Sequence, residues 1–138
     1  MTDAIYNRFE IEVERAYYIL KRYDVISTFA LLYFDKELSA KQLGTYLRIS
    51  DTFFLIDDNT YFINFPFSSQ KDTFKACENL LLELDNYFND RNSCICIESL
   101  DTNLKPKVLL NKLIQILEET KKSSYGRIED ESILNHIV

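Results

Sequence analysis

The chain reads as an α/β (α+β) sandwich, a mixed central sheet of four to five strands with helices on both faces. Amphipathic helical stretches alternate with short, near-continuous apolar runs of the kind shown by strands buried on both faces. Two aromatic-rich runs, Thr52 to Ile56 and Tyr61 to Phe65, flank the polar cluster Asp57-Asp58-Asn59-Thr60, a hairpin signal in mid-chain. A length of 138 residues, 46% apolar and 28% charged, describes one globular domain able to bury a core.

Taken in order, Thr2 to Tyr23 carries Ile5, Phe9, Val13, Ala16, Leu20 and Tyr23 at helical spacing, with Thr2 or Asp3 as cap and Glu10, Glu12, Glu14, Arg15 and Lys21 outside. Ile26 to Phe34 reads as an interior strand. Ser39 can cap a short helix over Ala40 to Leu47. After the hairpin, Ser68 or Ser69 starts a helix whose apolar stripe is Phe74, Cys77, Leu81, Leu84 and Phe88. Ser93 to Ile97 is a further interior strand, and Asp101 to Lys105 a loop. Pro106 suits the first turn of a helix running to about Lys121, with Leu109, Leu110, Leu113, Ile114 and Leu117 apolar. Gly126 closes this region. The domain is drawn as 1–128 and residues 129–138 as a C-terminal tail whose Ile133, Leu134, Ile137 and Val138 can pack as a short helix. The order of helices and strands is that of a ferredoxin-like sandwich.

Composition narrows the function. A net charge of −6 argues against a nucleic-acid or anionic-membrane surface, which needs clustered Lys and Arg. Two Gly and two Pro leave little room for flexible linkers or a phosphate-cradling glycine loop. Cys77, Cys94 and Cys96 sit in apolar runs without zinc spacing, as reduced core thiols do. No run reaches membrane-helix length and no signal-peptide core is visible, so the expectation is a cytoplasmic protein. His136, the single histidine, has no partner nearby in sequence for catalysis.

Three pieces of sequence resemble the GGDEF domain, the diguanylate cyclase module. Tyr6-Asn7-Arg8-Phe9, in a helix leading to the strand Phe29 to Asp35, is similar to the family's N-R motif and the strand ending in its metal-binding aspartate. Arg48-x-x-Asp51, five further residues and a tight turn match the family's R-x-x-D-x5-GGDEF spacing without a gap. The last helix with Tyr125-Gly126-Arg127 resembles the terminal A-K-x-x-G-R-N, one or two residues longer. Together the pieces span about residues 2 to 128.

In that register the signature positions are Asp57, Asp58, Asn59, Thr60 and Tyr61. Both glycines are aspartates, whose side chains obstruct and repel a triphosphate. The acidic partner for metal is Asn59, a poor ligand for Mg²⁺, and the following glutamate is Thr60. The family's F-K-x-x-N-D segment, which reads guanine, is missing, since only Lys36 to Leu38 separate Asp35 from Ser39. The resemblance therefore implies a degenerate, catalytically inactive GGDEF-like module with no cofactor. Asp35 is a vestigial metal candidate. Lys121, Lys122 and Arg127 read either as relics of phosphate contacts or, the preferred reading, as a solvated last turn that complements the helix dipole.

Two functions remain open. In one the domain regulates through a protein partner or a homodimer. In the other it binds cyclic di-GMP at Arg48 and Asp51, the family's inhibitory site, where a guanidinium and a carboxylate can meet guanine edges. The plainer account of Arg48 and Asp51 is a helix-end arginine paired with a turn aspartate. Asp35, Asp57 and Asp58 can form a carboxylate cluster for a divalent ion, but the preferred account of Asp57-Asp58-Asn59 is turn chemistry, since Asp and Asn tolerate the left-handed region.

Overall fold

A computed structural model describes residues 1–100 and 104–136. Helix α1 (Asp3–Tyr23) is followed by β1 (Ser27–Tyr33), α2 (Ala40–Gly44), the hairpin β2 (Thr52–Asp57) and β3 (Thr60–Pro66), α3 (Gln70–Phe88), β4 (Cys94–Ser99), α4 (Pro106–Ser123) and β5 (Ile128–Glu129). A 3₁₀ turn, Glu131–His136, comes last. The sheet order is β2-β3-β1-β4-β5, antiparallel throughout except for the parallel β4–β5 pair. Mixed sheet and flanking helices match the expected class, and β1 to β4 with α2 and α3 trace the ferredoxin-like order.

Alternation along the strands builds two cores. On one face Phe29, Leu31, Phe62 and Cys96 meet Phe9, Val13 and Ala16 of α1 and the α4 stripe. On the other, Ala30, Leu32, Ile63 and Ile95 meet Leu43 of α2 and the α3 stripe. Because β1, β3 and β4 are covered on both sides, their sequences read as continuous apolar runs rather than alternating ones. Phe62 sits at the centre of the first core, with its ring centroid 5.1 Å from Phe9, 5.3 Å from Phe29 and 5.2 Å from Phe54. Cys77, Cys94 and Cys96 are buried and unpaired, and burial pushes the Cys77 thiol up to about 12.

The helix starts follow capping chemistry. The side-chain oxygens of Thr2, Ser39 and Ser69 accept from the backbone N–H of Ile5, Gln42 and Asp72 at 3.2, 3.1 and 3.1 Å. Helix α2 is shorter than expected, giving way to turns after Gly44. Phe74 is not part of the buried stripe of α3: it is 41% exposed, while Thr73, Cys77, Leu80, Leu81, Leu84 and Phe88 face inward. Position 74 stands about 100° round the helix from 73, which moves it to the flank.

From residue 129 on, Glu129 pairs with Cys96 across the sheet and Ile133 is buried against α4. The predicted packing of Ile137 and Val138, and the loop positions 101–103, lie outside the described residues, as does the side chain of His136. Among the described residues no helix is long and apolar enough to cross a membrane.

Candidate functional site

The hairpin turns in two residues, Asp58 and Asn59, between Asp57 and its cross-strand partner Thr60. Neither turn residue adopts a positive φ, so the left-handed tolerance of Asp and Asn is not what makes the turn. Instead Asp57 Oδ1 accepts from the Asn59 N–H at 3.1 Å, and a register shift between Leu55 and Asp57 lets the strands close. The Asn59 carbonyl in turn accepts from the Phe34 N–H at 3.0 Å, tying the tip to the end of β1.

The register divides the five positions between solvent and core. Asp57 and Asp58 are exposed, whereas Thr60 and Tyr61 are buried. The Tyr61 hydroxyl donates to the Leu38 carbonyl at 2.8 Å, and its ring stacks on Phe34 at 5.3 Å. Beside the tip, Asp57, Thr60, Ile114, Glu118 and Lys121 line a recess of about 180 Å³. Ligand sites for molecules of nucleotide size occupy roughly 300–1,000 Å³. Asp35 does not join the turn carboxylates but meets the segment leading into β4, where Asn92 Nδ2 donates to its Oδ2 at 2.9 Å. Among the described residues no three His, Cys, Asp or Glu side chains gather as a metal site.

Arg48 and Asp51 are brought together, and they satisfy each other. Arg48 Nε and Nη2 donate to Asp51 Oδ1 at 3.0 and 2.8 Å, and the Arg48 backbone N–H donates to Oδ2 at 2.8 Å. Nη2 also donates to the Pro66 carbonyl at 2.9 Å, which pins the turn to the end of β3. The Asp51 side chain is 2% exposed and that of Arg48 51%. A guanine edge therefore finds a carboxylate already engaged and buried. The accessible part of the pair is the guanidinium, whose Nη1 has no partner among the described residues.

Arg127 corrects the reading of a solvated last turn. It lies beyond α4 in the left-handed region at φ 67, its side chain only 16% exposed. Nη1 and Nη2 grip Asp85 of α3 at 2.9 and 2.6 Å, and Nη1 also donates to the Ser93 carbonyl at 3.1 Å. These bonds raise the guanidinium pKa further above its ordinary value. Lys121 lies 4.3 Å over the Tyr33 ring and pairs with Glu118, and Lys122 stays exposed near Glu119. A cleft of about 510 Å³ lies between Tyr33, Asp35, Asn92, Lys121 and Arg127, where β1 ends and β4 begins. The Asp85–Arg127 pair had no sequence signal, because its partners lie 42 residues apart without any motif linking them.

No protein-family model matches the chain, and no curated protein matches it by sequence. By structure it is similar to the GGDEF domain of DgcB from Caulobacter crescentus, solved in complex with c-di-GMP, with a TM-score of 0.68 at 11% identity over 91% of this chain and 90% of that one. The chain has a GGDEF-like fold. The resemblance carried by Arg48-x-x-Asp51 and the hairpin thus extends to the architecture over nearly the whole GGDEF-like chain. At this identity the likeness speaks for the fold, and the chemistry rests on the residues described above.

Proposed function

We propose that this GGDEF-like domain is a catalytically inactive regulatory module acting in signalling through protein–protein contact or self-association. The observation that carries this is the hairpin tip. Two aspartates stand where the signature glycines would be, Thr60 and Tyr61 turn into the sheet, and the adjoining recess of about 180 Å³ is walled by Glu118. Backbone cannot approach phosphates past two carboxylates, and like charge repels a triphosphate. Incubation with GTP and Mg²⁺ or Mn²⁺, followed by chromatography of the nucleotides, is expected to yield no cyclic dinucleotide above a protein-free control. Turnover that scales with protein concentration would refute the inactive reading.

A second reading has one observation in its favour. Arg48 keeps a free, half-exposed guanidinium edge, and the structural neighbour carries c-di-GMP. If Arg48 and Asp51 receive cyclic di-GMP, calorimetry gives micromolar or tighter binding that Arg48→Ala abolishes. A flat titration of the wild-type protein removes this reading, and binding that survives Arg48→Ala moves the site elsewhere. The closed Arg48–Asp51 pair makes protein contact the preferred role.

A further inference from the structure

The core-facing stripe of α1 accounts for Phe9, Val13 and Ala16, yet the opposite, charged face of the helix also carries exposed apolar side chains. Ile11 is 50% exposed, Tyr18 58% and Ile19 40%, and with Glu14 and Arg15 they line a shallow groove of about 470 Å³. At 100° per residue, positions 11, 14, 15, 18 and 22 fall on one strip, opposite the buried one. Neither Glu14 nor Arg15 has an ion-pair partner among the described residues.

The strip is self-complementary about a point midway between Glu14 and Arg15. A two-fold axis there sets Ile11 against Tyr18 of a second copy, Glu14 against Arg15, and Asn7 against Arg22. Each contact occurs twice, as an isologous interface requires. The wider charge pattern points the same way. Glu10, Glu12 and Glu14 fill the first half of the helix, and Arg15, Lys21 and Arg22 the second. Arg8, a base in the first half, lies 4.3 Å over the Phe54 ring. Antiparallel pairing lays acidic half on basic half, whereas parallel pairing would set Glu14 against Glu14. Segregation of this sign also suits the helix dipole, but the dipole requires no apolar residues at 11 and 18.

We propose that the outward face of α1 is a homodimer surface on which two copies of this chain pair antiparallel, with Ile11 and Tyr18 as apolar anchors and Glu14–Arg15 pairs at the dyad. This rests on the self-association reading of the module. It names the surface, the partner and the geometry.

Sedimentation equilibrium on the full chain tests it with charge reversals at exposed positions, each variant checked for wild-type far-UV circular dichroism. Glu14→Arg and Arg15→Glu each replace two attractive contacts with two repulsive ones, and each is expected to raise the dimer dissociation constant about tenfold. The double variant Glu14→Arg/Arg15→Glu recreates both pairs in reverse and is expected to return within about twofold of wild type. Ile11→Ala/Tyr18→Ala is expected to weaken the dimer at least as much as a single reversal. A wild-type dimer indifferent to these changes overturns the α1 surface but leaves self-association standing. Single reversals that weaken a dimer the double variant does not recover overturn the antiparallel pairing. A wild type that is monomeric at hundreds of micromolar overturns both the surface and self-association, without bearing on the nucleotide assay.

Discussion

Phe62→Ala is expected to lower the unfolding free energy by about 3–5 kcal/mol, the range for deleting a large aromatic side chain from a packed core. Phe62 is fully buried at the middle of β3, and three rings from α1, β1 and β2 close around it. No single neighbour can collapse into the space, because each ring is anchored on a different element. The edge-on contacts at Phe9 and Phe29 are lost together with the buried area. Urea unfolding followed by circular dichroism should show a lower midpoint with an unchanged slope. Phe62→Leu, closer in volume, should cost distinctly less. A loss below about 1 kcal/mol for Phe62→Ala would mean that the first core is not centred on this ring.

The second large effect is expected at Asp85→Ala, about 2–3 kcal/mol, the scale of leaving a partly buried charge without its partner. Arg127 is held in a left-handed conformation with its guanidinium between α3 and the start of β4, and Asp85 accepts two of its hydrogen bonds. Removing the carboxylate strands the cation, whereas Arg127→Ala removes the charge and leaves the 18% exposed Asp85 to water. Asp85→Ala should therefore be the more damaging of the two. The double variant should be no worse than Asp85→Ala alone, giving a coupling energy of at least about 1 kcal/mol in a double-mutant cycle. Additive single effects in denaturant would show that the pair is a surface contact of little consequence.

Much of the fold was legible because local chemistry and tertiary packing agree. Ser39 and Ser69 mark helix starts by capping, and the unbroken apolar runs from Ser27 and from Cys94 announce strands covered on both faces. What escaped is what local chemistry does not encode. Strand β5 is two residues long and exists only because Arg127 and Ile128 are delivered to the edge of β4, so it has no period to read. Phe74 reads as core by its apolarity, although the stripe through Thr73 uses a smaller residue at the inward position.

The candidate site divides the same way. Arg48-x-x-Asp51 predicted a juxtaposition, and the side chains do meet. The plainer account, an arginine paired with a turn aspartate, is the one seen, but the burial of Asp51 and the tie to the Pro66 carbonyl 18 residues away had no local signal. The acidic tip does form a tight turn, but through an Asx bond and a bulge and not the left-handed geometry its residues permit.

The β4–β5 pairing has a consequence for how the molecule is made. Ribosomes deliver the chain at about 5–20 residues per second, and domains collapse as their parts emerge. The hairpin and β1 can pair early, but β4 keeps a bare edge until Ile128 and Glu129 have cleared the exit tunnel. During those seconds Ile95 presents unpaired backbone beside an apolar face, the arrangement that recruits stray strands. The short β5 is thus the last patch on a growing sheet, and the Arg127 grip on Asp85 is the clasp that holds it there.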